Sequence, residues 1–237
     1  PKCLQNKILD MIEELQSATE ATLANYNAHQ ATTKKLDALQ TKLNEANEAV
    51  NALKSEEGEY AAAGRWTTTP EGLQKAINGY REAAAAAYEE GEAASYSFDN
   101  AQAETDIAAY VQAAEVALAD FDRVAGVIAE WEKGLADIKT YIAEEDYSVT
   151  DAAGVTYGTK IGNIQKAIDN LKAELAEALT LEDTEHKDAL AAISPSKPAE
   201  LTSITQAQFE ADKANYQGNI NLNAVLLQRT LLYNRIN

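Results

Sequence analysis

The stretch IAAYVQAAEVALADFDRVAGVIAEWEKGLADIKTYI, residues 107–142, decides the fold. Ile107, Ala114, Phe121, Ile128, Leu135 and Ile142 recur seven apart, and Tyr110, Ala117, Val124, Trp131 and Ile138 interleave at the alternate position. That beat keeps one apolar stripe facing a partner helix, as in a coiled coil, and has no strand counterpart. A second register runs from Leu4 for much of the first fifty residues. Ile8, Leu15, Thr22, His29, Leu36, Leu43 and Val50 hold one position, and Leu4, Met11, Ala18, Asn25, Thr32, Leu39, Ala46 and Leu53 the other. Its middle, Asn25, His29 and Thr32, is polar, so a break, water access or local use of Leu23 and Tyr26 is expected there.

Two shorter helical phrases resemble each other: LQKAINGYREAA from Leu73 and IQKAIDNLKAEL from Ile164. Each follows a Tyr-, Thr- and Gly-containing interruption, EGEYAAAGRWTTTP in one case and EDYSVTDAAGVTYG in the other. The reading is a helical hairpin used twice, each phrase opening the returning arm. In the second interruption YSVT and VTYG flank DAAG, which predicts a small β-hairpin.

Together these patterns predict an all-α, elongated antiparallel bundle forming a single domain over residues 1–237, with one or two hairpin-like tips. Helices are expected at about 3–56, 70–94, 98–145, 161–190 and 205–236, with tips at 57–69 and 146–160 and a reversal near 94–100. The alternative is one continuous helix over 70–145. Thr69 and Pro70 suggest an N-cap and first helical residue, and Thr205 with Gln208 a capping box. SPSKP, with Pro195 and Pro198, marks a loop over 193–201. At ~1.5 Å per residue the two long segments reach on the order of 70 Å, hence the expectation of a rod.

Charge narrows the partners. With 20 basic against 38 acidic residues the net charge is −18, which disfavours nucleic acid and anionic membrane surfaces. No apolar run is long enough to span a bilayer. The single Cys3 leaves no second thiol for a disulfide or a metal pair.

No catalytic or cofactor signature emerges. His29 and His186 are the only histidines, and neither has Glu three residues before it, as a di-iron bundle requires. His29 reads as a polar seam residue and His186, within LEDTEHKD, as a solvated helix end. Glu pairs are plentiful but nothing marks a desolvated cleft for acid–base work. Asp146 and Asp151 lack the ligand spacing of a calcium loop.

Aromatic residues are more informative. Eleven Tyr stand against three Phe, and Tyr60, Arg65, Trp66, Tyr147 and Tyr157 fall in the tips. They either cap the bundle ends as mini-cores or form a contact patch. The last helix carries apolar residues around much of its circumference, from Leu222 to Ile236, so it sits centrally or docks on another chain; the central position is the expectation. The function expected is a non-enzymatic helical spacer, adhesion or assembly component at a bacterial surface or in another extracytoplasmic setting. A virion or secretion-apparatus subunit is one alternative, and a small-ligand bundle with a pocket at Asn25, His29 and Thr32 is another. The expected partner is a protein or a second copy, with no cofactor and no metal.

Overall fold

The computed structural model describes residues 2–54, 58, 60–91 and 100–236. Its elements are α1 (Lys2–Asn51), α2 (Thr68–Glu89), α3 (Asn100–Lys139), a 3-10 turn (Glu144–Asp146), α4 (Tyr157–Ala178), α5 (Asp183–Ala192), α6 (Glu200–Ser203) and α7 (Gln206–Ile236). The fold is all-α. Among the described residues the sole β feature is an isolated antiparallel bridge between Thr150 and Thr156. The expected helix ends at 55–56 and 92–94, part of the first tip and the reversal at 94–99 lie outside the described residues.

Contacts gather in two compact units. Unit 1 is residues 1–119 with 181–188, and unit 2 is residues 120–180 with 189–237. In unit 1, α2 returns antiparallel along α1. Gln40 and Gln74 exchange side-chain amide bonds at 2.8 Å, Arg81 pairs with Asp37 at 2.9 Å, and Asn25 donates to the Tyr88 carbonyl at 3.0 Å. Between them lie Leu36, Leu39, Leu43, Ala46 and Val50 of α1 and Ile77 and Ala84 of α2, all buried. The first half of α3 adds Ile107, Tyr110, Ala114 and Ala117, and Lys42 of α1 reaches Glu104 at 2.9 Å.

Unit 2 repeats the hairpin. Phe121, Val124, Ile128, Trp131, Leu135 and Ile138 of α3 are buried, as are Ile161, Ile164, Ile168, Leu171 and Leu175 of α4. Glu132 pairs with Lys172, and the Gly158 amide donates to the Tyr147 carbonyl at 2.9 Å, which makes α3 and α4 antiparallel. The two similar phrases are therefore the returning arms α2 and α4, with Ile77 and Ile168 at corresponding buried positions.

Several boundaries differ from expectation for local reasons. Residues 70–145 are not one helix, because Gly91 takes φ +75 and leaves the helical region after α2. The N-terminus of α2 lies at Thr68, without a side-chain cap on its own backbone, because the Thr67 and Thr68 hydroxyls turn to the Asp183 carboxylate instead. α3 stops at Lys139, where the Thr140 amide and hydroxyl both bond back to the Asp137 carbonyl. α4 starts four residues early, at Tyr157, since Thr156 caps it by accepting from the Thr159 amide. The helix expected over 161–190 divides into α4 and α5 at 179–182, with Asp183 at φ +51. Arg123 donates to the Leu190 and Ile193 carbonyls at 3.2 and 2.9 Å and so closes the C-terminal end of α5. At α7 the cap forms as expected, Gln208 N–H donating to Thr205 Oγ1 at 3.2 Å, while the Gln208 side chain goes forward to Asp212.

A stability contrast follows from this burial. Ile164→Ala should lower unfolding free energy by about 2–5 kcal/mol, the cost of a core cavity. Leu226→Ala in α7 should change it by less than ~0.5 kcal/mol, since that side chain is exposed. Denaturant midpoints of the two variants check this.

Candidate functional site

The tip residues turn inward. In unit 1 Tyr60 and Trp66 are buried, and His186 of α5, 0% exposed, stacks on Tyr60 at 5.8 Å and meets the edge of Trp66 at 6.0 Å. His186 is thus a core residue rather than the solvated helix end expected from its acidic neighbours. Its ring is covered by residues more than a hundred positions earlier in the chain. Arg65 is half-buried, and its carbonyl accepts from the Asp183 amide at 2.6 Å, which pins this tip to the start of α5.

In unit 2 Tyr157 is buried and donates to Asp212 of α7 at 2.7 Å, with Phe209 edge-on at 5.1 Å. Asp212 also accepts from Gln208 at 3.1 Å. This buried carboxylate is missing from the sequence expectation, although it stands three residues after Phe209, on the face that Phe209 defines. Tyr147 is half-buried. Asp151 accepts from the Ala153 and Val155 amides at 2.9 Å and pairs with Lys160 at 2.7 Å, closing the turn over Gly154 at φ +83. The Lys160 hydrogen bond, joined by the Val155 amide, holds the Asp151 carboxyl below its ordinary range. Asp146 is matched by Lys213 at 2.8 Å. Both aspartates weighed for calcium therefore already face a lysine. The tips close off cores, and the buried rings of Tyr60, Trp66 and Tyr157 offer no contact patch.

The polar seam lies where α2 ends. His29 stacks on Tyr88 at 4.4 Å, its Nδ1 buried without a hydrogen-bond partner, and Thr32 is half-buried. The cleft nearest to it, about 490 Å³, is lined by Ala18, Thr19, Thr22, Leu23, Tyr26 and Tyr88, so Asn25, His29 and Thr32 do not line it. A second cleft in unit 1, about 550 Å³, opens between the starts of α2 and α5 and the flank of α3. Trp66, Thr68, Asp106, Tyr110, Asp183 and Lys187 line it, and Trp66 Nε1 and Asp183 Oδ1 are buried there without partners.

The largest features lie at the two ends of the chain. Every residue of α1 from 2 to 24 is exposed, and so is every residue of α7 from 217 to 236. Leu4, Ile8, Met11 and Leu15 in α1 and Val225, Leu227, Leu232 and Tyr233 in α7 are all roughly half to two-thirds exposed, and Ile236 reaches 83%. The last helix is therefore not central. Its burial stops after Phe209 and Asp212, and the apolar ring beyond them meets no described residue that covers it.

Among the described residues no cluster of three or more His, Cys, Asp or Glu is placed to hold a metal, and no helix is long and apolar enough to cross a membrane. Comparison with protein-family models, curated proteins and solved structures returned no match.

Two tyrosines set an alkaline limit. Burial pushes Tyr60 up to about 12, against the opposing charge of Arg65. Burial, then the hydrogen bond to Asp212, holds Tyr157 higher still. In the unfolded chain both phenols ionise near pH ~10. Above that pH the unfolded state binds fewer protons than the folded one, so stability is full below ~10 and falls as pH rises further. Ultraviolet titration should show two of the tyrosines ionising only with unfolding, and Tyr157→Phe should remove one of these late transitions.

Proposed function

We propose that the chain is a non-enzymatic protein-interaction and assembly component, and that the exposed lengths of α1 and α7 are the arms it offers to partners. One observation carries this: leucine and isoleucine side chains crowd both arms, joined by Met11 in α1 and Tyr233 in α7, and remain uncovered. Met, Tyr and Arg are also the residues that interfaces favour. The acidic, Tyr-, Asn- and Thr-rich composition favours an extracytoplasmic or bacterial cell-surface setting, and a virion or secretion-apparatus subunit would use the same arms. The acidic surface speaks against a nucleic-acid partner.

The cleft at Trp66 and Asp183 supports a second reading, a small-ligand bundle, since a ligand offering both an acceptor and a donor would satisfy its two unpaired atoms. Tight binding in a small-molecule screen, lost on Asp183→Asn, would favour that reading.

Size fractionation of extracts from cells producing the chain tests the first reading. The native chain should migrate in a species several times 25.6 kDa, and Leu226→Gln/Leu231→Gln/Leu232→Gln should migrate as the free chain. A native chain that migrates alone contradicts it.

A further inference from the structure

Resting on the reading of the two arms as docking surfaces, we infer that their partner is a second copy of this chain, the exposed part of α1 in one copy seating on the exposed part of α7 in the next. Three features of the arms point to this pairing. The exposed lengths match, about 35 Å for residues 2–24 and about 30 Å for 217–236 at ~1.5 Å per residue. Each presents an apolar stripe at helical spacing, Leu4, Ile8, Met11 and Leu15 in one and Leu222, Val225, Leu232 and Ile236 in the other, all exposed.

The charges are also complementary. Residues 2–24 carry Asp10, Glu13, Glu14 and Glu20 against Lys2 and Lys7, four acids to two bases and a net charge of −2, with both bases in the first turns, whereas residues 217–236 carry Arg229 and Arg235 and no acid. In a chain of net charge −18, a segment without a single carboxylate stands out. Arg229 shares a shallow apolar groove with Leu226, Leu232, Tyr233 and Ile236, so a helix settling there desolvates its guanidinium and has to supply the carboxylate that matches it.

Charge also selects this pairing over the symmetric ones. Two α1 arms together would bring two net-negative surfaces into contact, even with Lys2 and Lys7 counted, and two α7 arms would oppose arginine with arginine. An α1–α7 contact neutralises both. Because each copy holds one arm of each kind, the contact is heterologous and adds copies head to tail, into a ring or an open chain.

The test uses two full-length variants that each keep one arm intact: Ile8→Asp/Met11→Asp, and Val225→Asp/Leu232→Asp. Circular dichroism should show both folded, since all four side chains are exposed. In light scattering the native chain should grow in mass with concentration, and each variant alone should stay at 25.6 kDa. An equimolar mixture should form a complex of twice that mass. Arg229→Glu should weaken association about tenfold or more, and mixing it with a copy carrying Glu13→Arg/Glu14→Arg should recover part of the loss. A native chain monomeric at every concentration, a variant that still self-associates, or a mixture that stays monomeric would overturn the pairing. If the purified chain is monomeric while extracts still hold it in a larger species dependent on α7, the arms dock on a different protein: the pairing fails and the broader reading stands.

Discussion

Burial of one apolar row per helix, repeated every seven residues, is the interaction on which each unit depends. Where the row finds a partner the helix is fixed: Leu36 to Val50 against Ile77 and Ala84 in unit 1, Phe121 to Ile138 against Ile161 to Leu175 in unit 2. Polar contacts then set register without supplying most of the stability. The surface pair of half-buried Arg81 and exposed Asp37 belongs to a class worth ~0–1 kcal/mol, less than one buried isoleucine. The same row also explains the surface, because in α1 it continues toward Leu4 well past the last residue of α2 that could cover it.

The tips close the rows at one end of each hairpin. Tyr60, Trp66 and His186 seal unit 1, and Tyr157, Phe209 and Asp212 seal unit 2. Aromatic rings with a polar edge suit this position, since a bundle end is apolar on one side and wet on the other. Asp183 ties the first tip to α5, accepting from Thr68 with its carboxylate while its amide donates to Arg65. Asp151 organises the second tip from within its own turn.

Much of this was legible in the residues, and the failures have physical causes. The seven-residue beat located α3, the phrase IQKAIDNLKAEL located α4, and SPSKP located the loop before α6, because these signals are local. The break between α4 and α5 is not local. It depends on Asp183 being held by Arg65 and Thr68, more than a hundred residues away. The burial of His186 was hidden for the same reason, as its covering rings belong to the first tip. Asp212 carries no local mark of burial, because the phenol that donates to it, Tyr157, lies 55 residues away. The apolar ring of α7 carries one signature for a central helix and for a docking helix, so periodicity alone could not separate them; exposure did. The side chains of the tips turn to packing, Tyr60, Trp66 and Tyr157 being buried, while the larger exposed apolar surface lies on α1 and α7.

Within a single chain the apolar rows at the start of α1 and the end of α7 are uncovered. Amide hydrogen exchange on the dilute chain, read by mass spectrometry, tests this most directly. Peptides from 36–50, 121–138 and 161–175 should be strongly protected, while 2–24 and 217–236 exchange orders of magnitude faster as unsupported helices. Protection of the two terminal stretches at dilution equal to that of the buried helices would contradict the account.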